Sequence, residues 1–71
     1  MTNPSITVYV NGEALPVPPG RKLGELVDAH TPSRSGVAVA VDGEVISRAA
    51  WAEHELADGA RIEILTAVQG G

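Results

Sequence analysis

The sequence contains no cysteine among its 71 residues. A disulfide therefore cannot support the fold, and a zinc–thiolate site cannot form. Only two histidines are present, His30 and His54, which are too few for a histidine-rich metal site, although carboxylates could in principle assist them. We therefore expect no resident metal.

Aromatic and basic residues are also scarce. Tyr9 and Trp51 are the only aromatic side chains that could stack on bases, and nine acidic residues outnumber five basic ones, for a formal charge of −4. Such a surface repels phosphate backbones, so nucleic-acid binding is not expected. No stretch approaches the roughly 20 apolar residues of a membrane span, and the first five residues lack a positively charged region. These features favour a soluble, cytoplasmic protein that does not bind membranes.

The chain has the length and composition of one small globular domain. Hydrophobic residues make up 44% of it and charged residues 20%, which is not the composition of a disordered chain. A domain of this size buries only about 60% of the surface that its unfolded chain exposes. A cavity that encloses a substrate would leave too little core, which argues against an independent enzyme.

The first half of the sequence predicts a β-hairpin followed by a short helix. β-branched residues alternate over positions 6–10, Asn11-Gly12 suits a type I′ turn, and a second strand runs from Glu13 to about Val17. Pro16 donates no backbone hydrogen bond, which indicates an edge strand. A helix of about two turns then ends at Thr31-Pro32, and its apolar stripe consists of Leu23, Leu26, Val27 and His30. His30 is read as a helix-end residue near the negative end of the dipole.

The second half predicts another hairpin, an irregular crossover and a final strand. Val37–Val41 and Glu44–Ile46 flank the turn signal Asp42-Gly43, and Arg61–Leu65 is the last clear strand. Between them, Ser47 could cap a short turn, and the bulky residues are expected to cover the open end of the core; these are Trp51 and Leu56. For Trp51 the alternative is an anchor that faces a partner.

The expected fold is an α+β roll, in which a mixed sheet of about five strands packs on one main helix. The first and last strands should lie side by side and parallel, because a long crossover separates them. The domain is expected to occupy residues 1–65, and residues 66–71 are expected to form an extended C-terminal tail.

The tail ends in two glycines, Gly70 and Gly71. At about 7% glycine usage, a terminal Gly-Gly pair arises by chance in roughly one chain in 200. A C-terminal carboxylate is ionised and unreactive at neutral pH, so it must be activated, commonly as a mixed anhydride with AMP, before it accepts a nucleophile. Glycine lacks a Cβ and suits a narrow channel that leads to a nucleotide. If the protein carries sulfur, it cannot do so on cysteine, which leaves a terminal thiocarboxylate.

Several segments of the sequence together carry a resemblance to a known family: Val10-Asn11-Gly12-Glu13, the run Val37–Ile46, Arg48, Trp51, Leu56, Asp58-Gly59 and the run Arg61–Gly71. Through them the chain resembles, over nearly its whole length, the thiamine-biosynthesis sulfur carriers, the ThiS family of the ubiquitin-like β-grasp superfamily. Lys22 departs from the family pattern, which often has a helix-capping threonine there.

This resemblance implies a β-grasp fold and a two-step cycle at Gly71. An adenylating enzyme of the ubiquitin-activating type would use ATP and Mg to adenylate the Gly71 carboxylate, while Val68, Gln69 and Gly70 thread the tail. Sulfur that originates from a cysteine desulfurase would displace AMP, and thiazole synthase would receive it from the thiocarboxylate. The carrier itself would bind no cofactor and catalyse no reaction.

Three other interpretations remain open at this point. The small subunit of molybdopterin synthase shares the fold and the Gly-Gly tail, but it usually has a proline-containing segment before the glycines, which Ala67-Val68-Gln69 lacks. A ubiquitin-like protein modifier would form amide links to lysines, and Lys22 is the single lysine available for self-linked chains. A plain interaction domain is the last alternative. Glu53, Glu55 and Asp58 are read as a solvated acidic face that could steer a basic partner.

Overall fold

The computed structural model describes residues 4–32 and 35–66. Within these ranges the order of elements is the predicted one, and the last strand extends one residue beyond Leu65. The elements are β1 (Ile6–Val10), β2 (Glu13–Val17), α1 (Leu23–His30), β3 (Val37–Val41), β4 (Glu44–Ile46), a 3₁₀ turn (Arg48–Ala50) and β5 (Arg61–Thr66).

The strands form one mixed sheet in the order β2-β1-β5-β3-β4. β1 and β5 are parallel, with Tyr9 opposite Arg61 and Val10 opposite Ile62, so the predicted parallel pairing is confirmed. The other neighbouring strands are antiparallel. β2 is an edge strand, as Pro16 indicated. A five-stranded mixed sheet with one main helix is the β-grasp arrangement.

Both predicted hairpin turns have the positive φ angles that type I′ geometry requires. Asn11 and Gly12 have φ of 51° and 89°, and Asp42 and Gly43 have φ of 52° and 85°. Because residues with φ above zero occupy both central positions, each hairpin closes in two residues. The β1–β2 and β3–β4 hairpins lie on either side of β5 in the sheet.

The core lies between the sheet and α1. The helix contributes Leu23, Leu26 and Val27, which are at most 3% exposed. Trp51 and Leu56, from the crossover, are also buried, which confirms the predicted core position of Trp51. The sheet contributes alternate residues, namely Val8, Val10, Val17, Val39, Val41, Ile62 and Ile64.

The ends of α1 are stabilised by backbone and side-chain contacts. At the N-terminus, the Lys22 N–H donates to Glu25 Oε1 at 3.2 Å, so a glutamate reaches back although the Lys22 side chain offers no acceptor. At the C-terminus, the exposed His30 ring places Nδ1 3.0 Å from the Leu26 carbonyl. His30 is therefore a helix-end residue. Ser47 occupies the first position before the 3₁₀ turn, but its side chain makes no capping bond there. The predicted Ser47 cap is wrong in that respect.

Candidate functional site

The residues predicted to carry and thread the reactive group lie outside the described residues; they are Val68, Gln69, Gly70 and Gly71. The described part of the chain ends with Thr66, the last residue of β5. The part of the site that the structure defines is therefore the strand from which the C-terminal segment continues, together with the surface around it.

β5 is the central strand of the sheet, and its two sides are paired to different extents. On one side, β5 is paired with all five residues of β3, from Val41 opposite Ile62 to Val37 opposite Thr66. On the other side, the parallel register with β1 ends at Ile62. β5 therefore runs past the end of β1 by several residues before the chain continues toward Gly71.

The Asn11 side chain occupies the space beside β5 where β1 has ended. Its Oδ1 accepts a hydrogen bond from the Ile64 N–H at 2.9 Å, and its Nδ2 donates to the Ile64 carbonyl at 3.3 Å. The sequence indicated Asn11 only as a turn residue. Its contact with a strand 53 positions later had no local signal that could have found it.

The outer face of the sheet, away from α1, carries exposed apolar side chains. Because strand residues alternate between faces, Ile62 and Ile64 point to the core while Leu65 points outward and is 63% exposed. Val45 on β4 is 75% exposed. Ala38, opposite Leu65, and Ala40, opposite Val45, lie on β3 between them. We call Ala38, Ala40, Val45 and Leu65 the outer-face patch.

Two of the three acidic residues predicted to form an acidic face, Asp58 and Glu55, contact other parts of the chain. Asp58 Oδ1 accepts the Thr7 N–H at 2.8 Å, and Glu55 lies 3.8 Å from the Lys22 ammonium. The Lys22 and Glu55 side chains are 40% and 61% exposed, so their ion pair contributes little to stability. Asp58 has a structural role in the turn before β5, whereas Glu53 is an exposed acidic residue, as predicted.

Neither a metal site nor a membrane span emerges from the structure in the ranges that it describes. Across residues 4–32 and 35–66, no three histidine or acidic side chains come together in a way that could hold a metal ion. In the same ranges, no helix has the length and apolar character needed to cross a membrane.

Comparison with known proteins decides the family. The sequence model of the ThiS family matches residues 8–71, which is most of the chain and includes the C-terminal glycines. This chain belongs to the ThiS family. It is 27% identical over 64 residues to the sulfur carrier protein ThiS of Escherichia coli (strain K12), a match that covers 90% of this chain and 97% of that protein.

The structural comparison agrees with the sequence comparison. The crystal structure of the thiamine biosynthesis protein ThiS from Geobacter metallireducens superposes with a TM-score of 0.76 at 29% sequence identity. The match covers 93% of this chain and all of that chain. The β-grasp fold and the ThiS resemblance expected from the sequence are therefore confirmed. The comparisons favour ThiS over the molybdopterin-synthase subunit and the protein modifier.

Proposed function

We propose that this ThiS-family protein carries sulfur as a thiocarboxylate on its C-terminal Gly71. The general role, a sulfur carrier in thiamine biosynthesis and not an enzyme, is that of the family. The observation that carries the finer proposal is that the family match extends through Gly71. A chain without cysteine offers its terminal carboxyl carbon as the place where sulfur can be attached.

The chemistry at Gly71 takes three steps. A carboxylate oxygen attacks the α-phosphate of ATP, and pyrophosphate leaves, so that the ionised and unreactive carboxylate becomes an acyl-adenylate. The terminal sulfur of a donor persulfide then attacks the carbonyl carbon, and AMP leaves with the bridging oxygen. A thiol attacks the donor's cysteine sulfur in the resulting acyl disulfide, which breaks the S–S bond, releases the thiocarboxylate and leaves the donor cysteine in a new disulfide. ATP and Mg are used by the partner enzyme, and this chain supplies only the acyl group.

Three partners follow from this cycle. The first is an adenylating enzyme of the ubiquitin-activating type, the second a sulfur donor such as a cysteine desulfurase, and the third thiazole synthase, which receives the sulfur. Val68, Gln69 and Gly70 are proposed to pass through the channel of the adenylating enzyme, where the small glycine allows close approach. Since the first step consumes ATP, we place the reaction in the cytoplasm.

The outer-face patch is the proposed contact surface for the adenylating enzyme. Leu65 belongs to the patch and lies six positions before Gly71, so an enzyme that binds the Gly71 carboxylate must approach this part of the sheet. Six extended residues span at most about 20 Å. Exposed apolar residues beside a reactive segment are well suited to a protein interface. The outer-face patch and the C-terminal segment would then together form the surface that the adenylating enzyme recognises.

Changing Leu65 tests this surface. We expect Leu65→Glu to raise the KM for the carrier in ATP–pyrophosphate exchange by about tenfold or more, because it places a charge in the apolar part of the interface. The melting temperature should hardly change, since Leu65 is exposed. The matched control is Ala14→Glu, which adds the same charge at an exposed strand position on the edge strand β2. Equal KM values for the two variants would remove the patch from the interface.

The thiocarboxylate itself is tested by mass spectrometry of the intact protein from its native host. We expect a species whose mass has increased by one oxygen-to-sulfur exchange, located at Gly71 by fragmentation. The control is the same protein from a host that lacks the adenylating enzyme, in which this species should be absent. Covalent conjugates to lysines of other proteins, without any sulfur-containing form, would instead support the modifier interpretation.

A further inference from the structure

Near its end, β5 extends past β1, and the Asn11 side chain binds β5 at the position where β1 no longer runs beside it. The β1 ladder reaches the Asn11 N–H, which donates to the Ile62 carbonyl at 2.8 Å. The chain then reverses into the Asn11-Gly12 turn and leaves β5. At the next ladder position, both backbone groups of Ile64 bind the Asn11 side chain, the N–H at 2.9 Å and the carbonyl at 3.3 Å.

A primary amide reproduces what a strand would provide at this place. Asparagine carries one carbonyl acceptor and one NH₂ donor on the same planar group, which matches the donor and acceptor of one residue in a β-ladder. Aspartate could accept the Ile64 N–H but would place a second oxygen against the Ile64 carbonyl. Glycine would provide neither group. The two hydrogen bonds therefore require asparagine, whereas the turn alone does not.

The second hairpin shows what the turn alone requires. Asp42 occupies the equivalent position, with φ of 52° against 51° for Asn11. Its carboxylate accepts a single hydrogen bond from the Arg61 N–H at 3.0 Å, so an acceptor is sufficient there. Asp42 fixes the beginning of β5 and Asn11 fixes it near its end. Only the Asn11 contact lies close to the point where the C-terminal segment begins.

We propose that Asn11 is a positioning residue for the C-terminal segment. Together with the pairing to β3, its amide keeps the last residues of β5 in the sheet plane as far as Thr66, from which the C-terminal segment continues. The outer-face patch and the start of the segment then keep a constant geometry in the free protein. The inference rests on the proposed function in one respect, namely that the end of the chain is delivered to an adenylating enzyme.

Loss of the Asn11 amide is expected to weaken the binding of the carrier to the adenylating enzyme and to leave the chemical step unchanged. Without the amide, Leu65 and Thr66 are held only by their pairing with β3 and sample more conformations, which the enzyme must restrict when it captures the carrier. Preorganisation of this kind changes affinity by about three- to tenfold. Once Gly71 is bound, the same restriction is in place in the ground state and in the transition state. The KM therefore rises while kcat is unchanged.

The test compares Asn11→Gly with Asp42→Gly. Both replacements keep a turn that tolerates positive φ, and both remove side-chain hydrogen bonds to β5, so general loss of stability affects both. We expect Asn11→Gly to raise the carrier KM in pyrophosphate exchange about three- to tenfold, with kcat within about twofold of wild type. For Asp42→Gly we expect both constants to be unchanged. Equal KM values in the two variants would overturn the proposal.

A second measurement does not depend on any partner. Backbone ¹⁵N relaxation should show lower heteronuclear NOE values at Leu65 and Thr66 in Asn11→Gly, and hydrogen exchange at the Ile64 amide should become faster. Neither change is expected in Asp42→Gly. Unchanged values in Asn11→Gly would overturn the proposal even if adenylation proceeds. If wild type itself supports no pyrophosphate exchange, the proposed function fails, while the relaxation measurement still decides the role of Asn11.

Discussion

Deletion of Gly70 and Gly71 should reduce ATP–pyrophosphate exchange with the cognate adenylating enzyme to background. The shortened chain ends in the Gln69 carboxylate, which falls short of the nucleotide by two residues, or about 7 Å of extended chain. A group this far from the α-phosphate cannot attack it, since reacting atoms must approach to about 3–3.5 Å. The melting temperature should not change, because β5 ends at Thr66 and every core residue found precedes it.

Two further variants make this result specific. Gly71→Ala keeps the length and adds one methyl group beside the reacting carbonyl, so it should slow exchange without abolishing it. Deletion of Thr2 and Asn3 removes two residues at the other end of the chain and should leave exchange at the wild-type rate. Exchange at the wild-type rate after loss of Gly70 and Gly71 would show that the terminal carboxylate is not the activated group.

The strands and turns of this fold were predictable from short local patterns. Period-two alternation marked β1 and β5, and the Asn11-Gly12 and Asp42-Gly43 pairs marked the two hairpins, because few residues accept positive φ. The parallel pairing of β1 with β5 followed from the long crossover between them. Each of these inferences depends on residues that are close in sequence, or on a rule of chain connectivity.

The features that were missed depend on residues far apart in sequence. The contact of Asn11 with Ile64 spans 53 positions, and no pattern in the sequence records it. Alternation along β5 does indicate that Leu65 points outward. It does not indicate that Val45 joins it in a patch, since that requires β3 to lie between β5 and β4 and to present small alanines. Thr66 was assigned to the tail, yet it is the last residue of β5 and pairs with Val37.

The proposed function of Gly71 depends on its terminal carboxylate, and the fold provides the strand that precedes it. The interpretation of Gly71 came from the chemistry of a terminal carboxylate in a chain without cysteine, and from resemblance. The fold contributes β5, the strand that ends at Thr66, and the surface around that strand. β5 is paired on one side by β3 and bound on the other by the Asn11 side chain, and under the proposed function this strand would be the base of the reactive segment. Rigid scaffolds of this kind position functional segments in many proteins.

Truncation of the Trp51 side chain should strongly lower the stability of the fold. We expect Trp51→Ala to lower the free energy of unfolding by about 3–5 kcal/mol. The side chain is 1% exposed and is among the largest fully buried ones, so its loss leaves a cavity that the small core cannot fill. Whole domains are stable by only about 5–15 kcal/mol, and small domains lie low in that range. If the wild type lies at about 5 kcal/mol, the variant should keep only about 0–2 kcal/mol, as measured by urea denaturation followed by far-UV circular dichroism.

Trp51 also connects parts of the fold through hydrogen bonds, and a second variant separates that role from packing. Its Nε1–H donates to the Ile46 carbonyl at 3.0 Å, and its own carbonyl accepts the Gly24 N–H of α1 at 3.0 Å. Trp51→Phe keeps most of the apolar volume and the backbone bond but removes the Nε1 donor. It should cost about 0.5–1.5 kcal/mol for the lost hydrogen bond, because the Ile46 carbonyl is only partly buried and water can replace the donor. If Trp51→Ala cost less than about 1 kcal/mol, the side chain would not be the central core residue that its burial indicates.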